Sequence, residues 1–305
     1  MTVIAEAPAV GAAGTPGFLW LDLTRQCQLK CGHCHNGSGP DGAHGTMTAA
    51  GWKSVLDQAA ALGIPSVQFT GGEVTLYADA PELVEYALKQ GLKVEVYSNL
   101  VHVTDEWWAL LRRDGVSLAT SYYAEDAGKH NEVTARPSHG RTRSNIAKAV
   151  KARIPIRASV IVFDSSETGD ETKGELQALG VRDIRVDHVR PFGRAANGQE
   201  PCTDSLCGRC GDGRASIGPD GSVSPCVFST WMGVGNVQDA PLGAILGGPD
   251  MAQANAIIRQ GRDLSASRSC GPDSPCGPDN ESGGGGGDES ECSPGFPGSS
   301  CSPRN

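Results

Sequence analysis

The chain has 305 residues, a net charge of −9 and 38% hydrophobic residues. That length carries one large domain, or a large and a small one, with ample core, and the acidic balance excludes nonspecific nucleic-acid binding, which needs a basic surface. No apolar run reaches the roughly 20 residues of a membrane span, so no membrane-crossing helix is expected.

Residues 1–17 lack the basic flank and compact apolar run of a signal peptide, and read as a flexible tail. The expected location is therefore the cytoplasm. In a reducing compartment, eleven cysteines point to metal ligands or catalysis rather than to disulfides. The first strand is expected at Phe18–Thr24, FLWLDLT. It runs into a loop holding Cys27, Cys31 and Cys34. A helix follows, with Trp52, Val55, Leu56, Ala59 and Leu62 at helical spacing and Thr48 as its N-cap. Further strands are expected at Ser66–Thr70, Leu92–Asn99, Val116–Tyr123, Ile156–Phe163 and Val181–Val189. The helices between them begin near Pro81, Asp105, Asn145 and Thr172.

Six strands alternating with helices imply an α/β fold of parallel units. Six fall short of the eight of a closed barrel, so a partial (β/α)6 TIM-type barrel is expected, with its site at the C-terminal strand ends. The cysteine loop, Gly71-Gly72-Glu73, Ser98-Asn99 and Ser121-Tyr122-Tyr123 all fall at those ends. The expected organisation is a tail (1–17), a core barrel (18–195), a small cysteine-rich domain (196–264) and a low-complexity tail (265–305). In that last tail each cysteine is followed by Gly-Pro or Ser-Pro.

Three thiolates in ten residues suit a metal centre left one ligand short; zinc completed by His33 or His35 is the alternative. Cys-x3-Cys-x2-Cys after the first strand of such a chain resembles the radical S-adenosylmethionine (SAM) superfamily. The resemblance implies that Cys27, Cys31 and Cys34 hold a [4Fe–4S] cluster whose fourth iron binds SAM. It implies a reductive cleavage that yields a 5′-deoxyadenosyl radical. Thr70–Leu76, TGGEVTL, looks like the superfamily's Gly-Gly-Glu element, with Val74 where proline is usual. It implies a cosubstrate-binding role for Gly71, Gly72 and Glu73. Ser98 and Asn99 resemble the element bordering the cofactor, and Ser121 the serine that contacts the ribose. Arg190 joins this set. Val189–Ala195, VRPFGRA, resembles the turn that closes the sixth strand in the peptide-modifying branch.

Cys202, Cys207, Cys210 and Cys226, with an Asp220–Gly221 hairpin turn, resemble the first half of a SPASM domain, which carries auxiliary iron–sulfur clusters. One or two such clusters are expected, with Cys270, Cys276, Cys292 and Cys301 as candidate ligands of the second. Zinc is again the alternative, because Cys207-x2-Cys210 is also a knuckle spacing.

The resemblance implies hydrogen abstraction from a ribosomally made precursor peptide, leading to crosslinking, epimerisation or another oxidation. With under twenty residues ahead of the first strand, leader recognition is expected from a separate protein or from another surface. Electrons are expected from a flavodoxin or ferredoxin. Candidate proton-transfer groups near the strand ends are Tyr122, Tyr123, Asp187 and His188. Two other readings stand beside this one: a radical dehydrogenase or epimerase of a small molecule such as a sugar, and a zinc-stabilised scaffold.

Overall fold

A computed structural model describes residues 16–163, 168–208, 210–211 and 213–269. Six parallel strands form the expected half-barrel: β1 (Phe18–Asp22), β2 (Ser66–Thr70), β3 (Lys93–Tyr97), β4 (Val116–Tyr122), β5 (Ile156–Val162) and β6 (Asp183–His188). Their spatial order is their chain order reversed. The helices are α1 (Ala49–Ala61), α2 (Ala80–Lys89), α3 (Asp105–Leu110), α4 (Ala127–Thr134), α5 (His139–Lys151) and α6 (Asp170–Ala178).

Side chains alternate across each strand, and parallel register keeps paired residues on one face. Val67, Phe69, Val94, Val96, Leu118 and Val160 bury against the helices. From α1 the core receives Trp52, Val55, Leu56 and Ala59, the positions its periodicity singles out. Each large buried side chain contributes about 1.5–3 kcal/mol. Thr48 caps α1, accepting from the Gly51 N–H at 3.1 Å, and Thr104 caps α3 in the same way.

The opposite, concave face is polar. Gln68 pairs in register with Glu95, and Ala119 with Arg157. Arg157 donates two hydrogen bonds of 2.6 Å to Glu95, and Gln68 donates a third. The Arg157 guanidinium also lies 5.5 Å from the Tyr97 ring centre. Burial alone would raise the Glu95 carboxyl, but Arg157 outweighs it and holds it below its ordinary range. This ion pair forms the floor beneath the strand ends.

Several features differ from the sequence expectation, among them a helix, α4, that was not expected. Strand β7 (Arg214–Ile217) pairs parallel with β1 and adds a seventh parallel strand. It then turns into the expected hairpin with β8 (Ser222–Ser224), which pairs with β9 (Gly235–Asn236), so one sheet runs through both halves. Helix α5 starts six residues before the expected Asn145, because His139 and Thr142 complete its buried face. The C-terminal half also has two helices that the glycine-rich texture concealed, α7 (Leu242–Leu246) and α8 (Pro249–Ser269). The expected boundary at residues 264/265 falls inside α8. Cys270, Cys276, Cys292 and Cys301 lie outside the described residues.

Candidate active site

The loop after β1 is held by its own backbone before any side chain acts. Cys27 N–H donates to Gly39 O at 2.9 Å, and Arg25 N–H to Ala43 O at 2.8 Å. The loop then seats on the turn after β2. Gly72 N–H donates to Thr24 O at 2.6 Å and Glu73 N–H to Gln26 O at 2.9 Å. A Cβ on residue 72 would lie 2.3 Å from Gln26 O, so glycine is required there by the cysteine loop itself.

Cys27, Cys31 and Cys34 then line one cavity at the strand ends, shared with Gly71, Gly72, Tyr97, Asn99, Ser121, Tyr123, Asp187, His188, Arg190 and Arg194. Burial, then the nearby Glu73 carboxyl, pushes the Cys27 thiol up to about 12. Burial and then Cys34 push Cys31 up to about 12 as well. Thiols raised in this way become thiolates only beside compensating cations. All three thiols line this one cavity, a donor set that suits a shared inorganic cluster. Two histidines of the cysteine loop are poor cations: burial, aided by Arg194, pushes His33 down to about 4, and burial, aided by Arg25, pushes His35 down to about 3.

The other expected residues divide between lining the cavity and bracing its wall. Glu73 is buried, with its carboxylate fully engaged. It accepts from Ser98 Oγ at 2.7 Å, Asn99 N–H at 2.8 Å and Thr75 Oγ1 at 2.8 Å. Burial raises the Glu73 carboxyl, although these donors pull against it. Glu73 and Ser98 thus brace the end of β3. Asn99 reaches the site, with Nδ2 3.6 Å from Cys27 Sγ. Ser121 Oγ lies 2.8 Å from Tyr97 OH, which also meets Ser159 Oγ at 3.2 Å.

Strand alternation separates Tyr123 from Tyr122. Tyr123 faces the cavity and packs edge-on against His33 at 4.8 Å. Tyr122 points to the helices, with its hydroxyl 2.8 Å from both His139 Nε2 and Glu175 Oε2. Tyr122 therefore does not reach the cavity.

Asp187 does reach it. It is 3% exposed, and Oδ1 accepts from the His188 N–H at 2.8 Å. Among the described residues Oδ2 has no hydrogen-bond partner. Burial pushes this carboxyl up to about 7, with Arg190 and the His188 N–H only partly offsetting it. Arg190 lines the same wall and donates to Ser205 O at 2.8 Å.

In the C-terminal half, Cys210 and Cys226 are buried with Trp20, Phe192, Leu206, Val227, Phe228 and Ile258, and Cys207 packs against them. Burial acts to raise Cys226, but hydrogen bonds from Cys210 and the Phe228 backbone outweigh it and leave the thiol below its ordinary value. Such a thiol is a ready ligand. Trp20 Nε1 lies unpartnered beside this group among the described residues. Cys202 stands apart and exposed, 3.6 Å from Ser205 Oγ.

Two residues of this site escape sequence reasoning. Tyr97 was signalled by alternation, one residue ahead of Ser98. Arg194 sits in the VRPFGRA turn, but nothing local says what its guanidinium reaches.

The chain matches the radical SAM superfamily over residues 21–178 and the SPASM iron–sulfur cluster-binding domain over residues 207–276. It belongs to the radical SAM superfamily. Membership carries a [4Fe–4S] cluster and SAM, and the SPASM match carries auxiliary iron–sulfur binding. The chain is 42% identical over 89 residues to a PqqA peptide cyclase of Xanthomonas oryzae, which covers 29% of this chain and 23% of that protein. It is 27% identical over 189 residues to the subtilosin biosynthesis protein AlbA of Bacillus subtilis, covering 60% of this chain and 42% of that protein. The matches thus span less than half the length of these relatives. Streptococcus suis SuiB, solved with its precursor peptide SuiA, has a similar fold, with a TM-score of 0.67 at 16% identity over 81% of this chain and 67% of that chain.

Proposed function

We propose that this radical SAM protein abstracts hydrogen from a ribosomally made peptide and so matures it by crosslinking, epimerisation or another oxidation. The observation that carries this reading is that three cysteine thiols line one cavity together with Gly71, Gly72, Asn99 and Ser121. Peptide-acting relatives support the substrate class.

Cys27, Cys31 and Cys34 would hold the open cluster. Gly71, Gly72, Asn99 and Ser121 offer backbone and side-chain polar groups to SAM. When bound, cluster and SAM together supply a 5′-deoxyadenosyl radical, which removes hydrogen from a C–H bond. The protein's task is to orient the groups and exclude water. Tyr97 fixes the Ser121 hydroxyl, and the Glu73–Ser98 brace fixes the backbone from which Asn99 projects. Asp187, a buried carboxyl on the cavity wall, is the proton-transfer candidate that this geometry favours over Tyr122. Cys207, Cys210 and Cys226 would hold one auxiliary cluster. A second, drawing on Cys270, Cys276, Cys292 and Cys301, an external flavodoxin or ferredoxin, a separate leader-recognition protein and a cytoplasmic location complete the reading. Among the described residues no helix is long and apolar enough to cross a membrane.

The test is anaerobic reconstitution with iron and sulfide, followed by SAM and a strong reductant. Release of 5′-deoxyadenosine and methionine, and a mass change in a short peptide encoded beside the gene, are expected. Colourless protein that binds stoichiometric zinc and leaves SAM intact would refute the reading.

A further inference from the structure

The turn leaving β6 reaches back across the molecule to the cysteine loop. Arg194 Nε donates to Cys31 O at 2.8 Å, and its two terminal nitrogens donate to Gly37 O and Ser38 O, each at 2.7 Å. Its backbone N–H donates to Cys34 O at 3.0 Å. Four carbonyls between Cys31 and Ser38 are thus gathered by one residue about 160 positions away in the chain. Gly193 makes the approach feasible. Its φ is +55°, and a Cβ there would lie 2.4 Å from Cys34 O and 2.3 Å from His35 O. The ring of Phe228, from the C-terminal half, lies 4.8 Å from that of His35 and closes the same side.

We infer that Arg194 is a positioning residue that holds the cysteine loop in its ligand-ready conformation. This inference rests on the reading of Cys27, Cys31 and Cys34 as a cluster site. Short loops pay conformational entropy when they gather ligands. A planar guanidinium with five fixed donors can span several carbonyls at once, whereas an ammonium is a single point of charge. The guanidinium also places a permanent positive charge beside Cys31, where anionic sulfur must be tolerated.

The experiment compares reconstituted wild type with Arg194→Lys, which keeps the charge, and Arg194→Gln, which removes it. The readouts are iron released to a chelator over time and the EPR signal that changes on adding SAM. The auxiliary-cluster signal serves as an internal control of folding. Both variants are expected to lose the SAM-responsive signal about tenfold faster than wild type, the scale of one charge-assisted hydrogen bond, with the auxiliary signal retained. Wild-type retention in the lysine variant would overturn the fork geometry. Equal loss of both signals would place Arg194 in the general fold and overturn the inference as well. A wild type that takes up no iron would overturn the cluster reading itself, and this inference with it.

Discussion

Replacing Asp187 by asparagine removes one titrating group from the cavity wall while keeping its shape. The amide oxygen can still accept from the His188 N–H. In the folded chain burial holds the wild-type carboxyl near 7, against an ordinary value of 3.8. A raised carboxyl binds its proton more tightly folded than unfolded, so it adds stability at low pH that is lost as pH rises from about 4 to 7. At about 1.4 kcal/mol per unit, this one group removes about 2 kcal/mol between pH 5 and pH 7. The buried histidines act with the opposite sign. His33, His35 and His130 are held neutral with values near 4, 3 and 4, so they cost stability as pH falls below about 6.5. Only the difference between wild type and variant isolates Asp187. The assay is urea unfolding of the reduced, metal-free chain at pH 5, 6 and 7. The variant should gain on wild type by about 2 kcal/mol across that range. Parallel curves for the two proteins would refute the claim that burial of Asp187 outweighs the groups that compensate it.

Other perturbations test separate parts of the site. Cys27, Cys31 and Cys34 all changed to alanine should lower iron by about four per chain, measured by iron and sulfide analysis, and abolish 5′-deoxyadenosine release. Gly72→Ala should do the same to SAM cleavage and lower the melting temperature, because its Cβ would meet Gln26 O at 2.3 Å. Arg157→Met strands the Glu95 carboxylate beneath the cavity and should cost about 3–5 kcal/mol by denaturant unfolding, whereas a paired Glu95→Leu change should recover much of that loss. Tyr122→Phe should cost about 1 kcal/mol through its lost bonds to His139 and Glu175, while SAM cleavage stays within about twofold of wild type.

Much was legible from local pattern. Alternating apolar strands and periodic helices dictated parallel units, and cysteine spacing with Gly-Gly-Glu marked the strand ends that carry the site. These signals are short-range, so a linear chain displays them. The texture after residue 190 concealed α7, α8 and the seventh parallel strand, because β7 owes its place to pairing with β1, nearly two hundred residues earlier. The sequence also could not divide Glu73 and Ser98, which brace, from Asn99 and Ser121, which face the cavity. Alternation assigns a side only once the sheet's curvature is known. Asp187 looked like any carboxylate near a strand end. Its burial comes from the curvature of the half-barrel and the wall beside it. Arg194 is the plainest case. Its meaning lies in carbonyls from residues 31–38, and only the folded chain brings them to one guanidinium. Chemistry written in spacing was fixed by the sequence alone, whereas burial, orientation and long-range hydrogen bonding waited on tertiary structure, because each depends on what the rest of the chain brings alongside.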